Sequence, residues 1–152
     1  GFKYNMTNVG AAIGIEQLKK LNGFIAARRR LARTYLSVLS GIDEIELPRI
    51  VDGAEHAWHL FILKLRLDKL TKSRDEIMHL LRQENVGTGI HFVAVHKHKY
   101  YRETLGLRDA DLPHATAASD SILSLPLHPR LSDKNLRDVV DALKKVLVYA
   151  RK

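Results

Sequence analysis

From Asn8 to about Ser40 the apolar residues Val9, Ala12, Ile13, Leu18, Leu21, Ile25, Leu31, Tyr35 and Leu39 recur at helical spacing. The pattern predicts one long leading helix, with Asn22-Gly23 as the place where it bends or splits and Gly41 as its stop. Ile42 to Glu55 contains Pro48 and Gly53 and reads as a connecting loop. Trp58 to Leu67 starts as a continuous apolar run and ends in alternation, the signature of a strand with one face fully covered. Ser73 followed by Glu76 forms a capping box ahead of a helix whose apolar face is Ile77, Met78, Leu80 and Leu81, with Asn85 at its end. Val86 to Val95 reads as a second strand containing Gly87 and Gly89, and Pro113 opens a short helix running to about Ile122. Ser124-Leu125-Pro126-Leu127 reads as a short extended segment at a sheet edge, because proline cannot donate to a ladder. Ser132-Asp133 caps a last helix with Leu136, Val139, Val140, Leu143, Val146 and Leu147 on one face.

Short strands separated by helices give an α+β fold: one domain over residues 1–152, with a sheet of about three strands backed by helices and a long leading helix. A doubly wound nucleotide-binding sheet is disfavoured, since no glycine-rich turn follows either strand. The chain has 45% apolar and 28% charged residues, the balance of a folded domain. No apolar stretch approaches the ~20 residues of a membrane span, so no membrane partner is expected. The absence of cysteine excludes disulfides and thiolate metal sites and fits a reducing compartment, the cytoplasm. The chain opens on Gly1 directly before a long helix, and it is expected to be the downstream piece of a larger protein.

The net charge of +8 permits an acidic partner without requiring one. Arg28-Arg29-Arg30 lies inside the predicted helix, where successive residues point about 100° apart, so the run cannot form a single stripe. A nucleic-acid-binding module therefore stays a second reading, with no aromatic interleaving and no reader motif to support it.

The densest chemistry lies between His91 and Tyr101, where three histidines, two lysines and two tyrosines fall within eleven residues. Imidazole and ammonium donors there suit phosphate or sugar oxygens. A polar surface loop accounts for the same residues. A metal hydrolase built on His91, His96 and His98 is a third reading, in which His96 and His98, two apart, share a strand face. His56-Ala57-Trp58-His59 reads as a core anchor with histidines that satisfy turn or strand-end backbone groups. At the amino end, Lys3-Tyr4-Asn5 combines an ammonium, a phenol and an amide just before a helix start, which suits an anion. A plain cap by Thr7 or Asn8 explains the position equally well. No nucleophile elbow, Walker loop, paired catalytic carboxylates or zincin motif occurs.

Taken together, the landmarks carry a resemblance. Gly1-Phe2-Lys3-Tyr4-Asn5-Met6-Thr7-Asn8, Ala11-Ala12-Ile13-Gly14 and Gln17-Leu18 resemble the opening of the C-terminal part of the DegT/DnrJ/EryC1/StrS sugar aminotransferases. Arg28-Arg29-Arg30, His56-Ala57-Trp58-His59-Leu60-Phe61, Gly87-Thr88-Gly89-Ile90-His91-Phe92, Lys99-Tyr100-Tyr101-Arg102-Glu103 and Leu123-Ser124-Leu125-Pro126-Leu127 follow in family order. The opening and the Gly-Thr-Gly-Ile-His-Phe stretch look most like the branch that aminates UDP-4-keto-arabinose for lipid A modification. Many family members have Asn and Arg where this chain has Lys3 and Asn5.

The resemblance implies the small C-terminal domain of a fold-type I pyridoxal-phosphate enzyme, with the nucleotide sugar as substrate, glutamate as amino donor and a homodimer as the working unit. It implies that the opening segment reaches the partner subunit's cofactor, with Lys3 or Asn5 holding the cofactor phosphate. Tyr4, His91, His96 and His98 become candidate substrate contacts, His96 foremost. The lysine that carries the cofactor and moves the proton, and the Asp that pairs with the pyridine nitrogen, belong to the family's large domain. By that resemblance they precede Gly1, no catalytic residue lies in this chain, and the chain alone is inactive.

Overall fold

A computed structural model describes residues 1–152. Helix α1 spans Asn8–Val38, with Thr7 as its cap: the Thr7 hydroxyl accepts a hydrogen bond from Gly10 N–H at 3.1 Å. The helix runs unbroken through Asn22-Gly23. A glycine inside a helix costs only about 1 kcal/mol relative to alanine, too little to break a helix continued by good formers on both sides. Gly41, at φ 80°, makes the turn that follows. The segment read as a loop contains a two-residue strand, β1 (Ile45–Glu46).

Strand β2 (Phe61–Leu65) is central and pairs antiparallel with β1 on one side and with β3 (Ile122–Leu125) on the other. Phe61, Leu63 and Leu65 point to the core, and Leu125 and Leu123 sit opposite the first two, so one face of the sheet is a continuous apolar layer. Opposite charges, Glu46 and Lys64, face each other across the β1–β2 ladder. The three strands therefore include β1 in place of Val86–Val95.

That expected second strand is not one. It touches the sheet at a single bridge, Gly89 to Ser124, and then continues through a 3₁₀ turn at Val95–Lys97. Two causes act together. The edge offered by β3 is four residues long and closes at Pro126, and Gly87 and Gly89 bring no side chains to a pleated surface. Phe92, Val93 and Val95, within that expected strand, are exposed.

Helix α2 (Arg74–Gln83) starts at the expected capping box: Ser73 Oγ accepts from Glu76 N–H, and the Glu76 carboxylate accepts from Ser73 N–H at 2.9 Å. It ends before Asn85, which takes the left-handed φ of 64°. Helices α3 (Lys99–Leu105) and α4 (Pro113–Ser121) follow, the first of them unforeseen. Helix α5 (Asp133–Ala150) is capped by Ser132, buries its whole expected face and packs on both α1 and α2. Tyr35 of α1 stacks near Phe61 with ring centroids 4.9 Å apart, and Phe61 lies 5.6 Å from Trp58. No helix is long and apolar enough to cross a membrane.

Candidate functional site

The candidate residues fall in two groups. Lys3, Tyr4 and Asn5 precede α1 in irregular chain, and all three are exposed. They stand ahead of a helix N-terminus of 31 residues, where the backbone dipoles leave a partial positive charge. An ammonium, a phenol and an amide open to solvent beside such a terminus form a donor set that fits a phosphate.

The second group lies on the segment from Gly89 to His98, and its histidines do not converge. His91 is half-buried. Its Nδ1 lies 2.9 Å from the hydroxyl of Ser124, whose backbone exchanges both bonds of the bridge with Gly89, at 2.8 and 3.3 Å. Ser124 is on the face of β3 opposite its leucines, so the strand's alternation aims a hydroxyl at this loop. Gly89 lies against the Cε1 edge of the imidazole: a Cβ there would stand 2.7 Å from His91 Cε1. Ser119, on the last turn of α4, fixes the next stretch by accepting from Ala94 N–H at 2.9 Å.

His96 is buried. Its Nε2 lies 2.9 Å from Thr116 Oγ1 and 3.3 Å from Asp109 Oδ1. The Thr116 hydroxyl spends its own hydrogen on the Asp109 carbonyl at 3.1 Å, so it receives one from His96. Nδ1 is the ring nitrogen left without a partner in the chain. His98 is exposed at the N-cap position of α3, where its side chain makes no capping bond. The 3₁₀ turn thus points His96 inward and His98 outward, where a strand would have put them on one face. No three His, Cys, Asp or Glu side chains gather as metal ligands.

Lys97 closes on Asp120 at 2.5 Å. Asp111 is held below the usual carboxylate range by its bonds from Arg108. The Lys97–Asp120 pair pins the loop that carries the histidines to α4. Sequence reasoning missed its supports: Gly89, Ser119, Ser124, Thr116 and Asp109. A signal existed for one of them, since a serine inside Ile122-Leu123-Ser124-Leu125 is a polar atom bound for the interior and needs a partner there.

The arginine run has structural employment. Arg28 Nε donates to the Ala57 carbonyl at 3.3 Å and Arg29 Nε to the His56 carbonyl at 3.1 Å, while Arg29 also pairs with Glu55 at 2.8 Å. That pairing holds the Glu55 carboxyl below its ordinary range. Arg30 reaches Asp133 at the start of α5 at 2.5 Å. His56 Nδ1 accepts from Trp58 N–H at 2.9 Å, the turn-satisfying role expected of it, and Trp58 is buried at φ 50°.

Known proteins place this arrangement. The chain is 37% identical over 147 residues to the uncharacterized protein MJ1066 of Methanocaldococcus jannaschii, covering 97% of this chain and 38% of that one. It is 36% identical over 148 residues to the spore coat polysaccharide biosynthesis protein SpsC of Bacillus subtilis, again covering 97% and 38%. It thus spans well under half the length of these relatives. The aminotransferase TlmJ from Streptoalloteichus hindustanus superposes with a TM-score of 0.80 at 27% identity, over 93% of this chain and 36% of that structure. Residues 1–144, which take in both groups of candidate residues, match a single family along their whole length, and the chain belongs to the DegT/DnrJ/EryC1/StrS aminotransferase family.

Proposed function

We propose that this chain is the C-terminal part of a pyridoxal-phosphate-dependent nucleotide-sugar aminotransferase. It transfers the amino group of glutamate to a UDP-4-keto sugar destined for lipid A or another surface polysaccharide. The observation that carries the reading is the family match over residues 1–144. The polysaccharide role named for the Bacillus relative supports a sugar substrate.

When bound, pyridoxal phosphate supplies the electron sink and carries the amino group between donor and acceptor. The work of this chain is to bind and orient. Lys3 and Asn5 donate to the cofactor phosphate of the partner subunit, aided by the start of α1. Tyr4 flanks the sugar. His91, with Nε2 free of any partner in the chain, donates to a sugar or diphosphate oxygen; His98, also exposed, lies one turn further on. His96 offers only Nδ1, and its placement orders the loop from which His91 and His98 project. The lysine that carries the cofactor lies in the part of the relatives' length that this chain does not span, and the chain alone is inactive. The working protein is a cytoplasmic homodimer. The nucleic-acid reading recedes, because the arginine run that motivated it is bonded to the His56–Ala57 turn, Glu55 and Asp133.

The test is to supply the longer protein with pyridoxal phosphate, nitrogen-15 glutamate and a UDP-4-keto-pentose, and to weigh the product by mass spectrometry. One labelled amino group on the sugar supports the proposal. An unlabelled, unreacted sugar, in a protein whose bound-cofactor absorption glutamate still bleaches, contradicts the assigned acceptor.

A further inference from the structure

His91 meets a buried hydroxyl that has nowhere else to turn. Ser124 is 4% exposed, and the only hydrogen-bond partner of its hydroxyl is His91 Nδ1 at 2.9 Å. Two arrangements satisfy that distance. If His91 carries its hydrogen on Nδ1 and donates to Ser124 Oγ, the serine hydrogen is left buried with no acceptor. If the serine hydroxyl donates to Nδ1, every hydrogen at the contact is used. A buried donor without a partner loses its full hydration, so the second arrangement prevails. The neutral ring then has its hydrogen on Nε2, the nitrogen with no partner in the chain.

We propose that Ser124 fixes His91 as the Nε2–H tautomer, so that His91 presents a hydrogen-bond donor, not a base, to an oxygen of the ligand. Its role in substrate binding rests on the aminotransferase reading above; the tautomer does not. Ser124 is a positioning residue acting through His91. Gly89 is its neighbour in the bridge and backs the adjacent Cε1 edge, since the ring occupies the space a side chain at position 89 would take. Backbone bonds between Gly89 and Ser124 hold the two supports at a fixed separation, so the imidazole is held at its Nδ1 and at its Cε1 edge. The contrast with His96 is instructive. Its Nε2–H is consumed by Thr116 inside the fold, whereas that of His91 is left for a ligand.

Nitrogen-15 correlation spectra of the labelled, ligand-free protein at neutral pH, assigned with His91→Gln, read the tautomer directly. The expected result is a protonated Nε2 and an unprotonated, hydrogen-bonded Nδ1. A protonated Nδ1 with a bare Nε2 overturns the proposal, with no variant needed. Ser124→Ala is expected to lose the Nδ1 acceptor signature. In the active longer protein it is expected to raise KM for the keto sugar with kcat held; an Nδ1 acceptor signature that persists in that variant also overturns the proposal. Gly89→Ala, which leaves the serine hydroxyl intact, displaces the ring and raises the same KM. Because the tautomer is read without ligand or cofactor, its failure is distinguishable from failure of the aminotransferase reading, which is decided by amino transfer.

Discussion

Tyr35 illustrates how single polar atoms are placed in this core. The side chain is fully buried between α1 and the sheet, and its hydroxyl donates to the Pro126 carbonyl at 2.9 Å. Burial pushes the phenol above its ordinary range, so it stays a donor through all working conditions. Tyr35→Phe keeps the packing and removes the donor, leaving a carbonyl unpaired. The expected loss is about 1–2 kcal/mol, measurable as a lower midpoint in urea with an unchanged slope. A loss near zero would mean that water reaches Pro126. In the sequence Tyr35 is legible only as one apolar position of a helix, and Ser124 only as part of an extended segment. Each partner lies far along the chain, Pro126 for one and His91 for the other, and no local pattern encodes such a meeting. At the amino end the reverse holds: Lys3 and Asn5 stand out by residue type, and the fold adds only that they are open to solvent. Lys3→Ala and Asn5→Ala in the longer protein are each expected to weaken pyridoxal phosphate binding roughly tenfold, the value of one charge-assisted hydrogen bond. Equilibrium titration of the cofactor checks this, and unchanged affinity in both variants contradicts the phosphate role.

Elements with their own local signals were legible; those defined by partners were not. The α2 capping box, the proline start of α4 and the apolar face of α5 all follow from spacings within one turn. Val86–Val95 had strand-like residues but only the short β3 edge to meet, which it touches at one bridge, while Ile45–Glu46 became a strand because β2 offered a partner. The capping box also carries a pH dependence. Glu76 is held below the usual carboxylate range, chiefly by the Ser73 backbone N–H and then by its hydroxyl. A folded-state value depressed in this way stabilises the fold above the unfolded value, about pH 4, and the benefit is lost as pH falls through the folded value. Asp43, Asp133 and Glu55, lowered chiefly by Lys69, Arg30 and Arg29 respectively, act in the same direction. Thermal midpoints are therefore expected to fall below pH 4, and less so in Glu76→Gln; equal slopes for the two proteins would remove the capping box as a cause. Ser73→Ala is expected to destabilise by ~1 kcal/mol at neutral pH.

At the scale of the whole molecule the chain is uneven. No residue before Leu31 is buried, and Phe2, Tyr4, Met6, Val9, Ile13, Ile15 and Leu18 are all more than half exposed. So much apolar surface on the first half of α1 favours association. The chain alone is expected to sediment with a concentration-dependent mass, and Ile13→Glu with Leu18→Glu to return it to a single species. A monomer at all concentrations in the unsubstituted chain would contradict this. Where the cofactor is held is tested most directly by adding pyridoxal phosphate to the chain and to the longer protein and recording visible absorption before and after glutamate. The account predicts a bound-cofactor band only in the longer protein, bleached by glutamate. A band of the same kind in the chain alone would place the cofactor-carrying lysine within residues 1–152, and its absence from both proteins would contradict the aminotransferase itself.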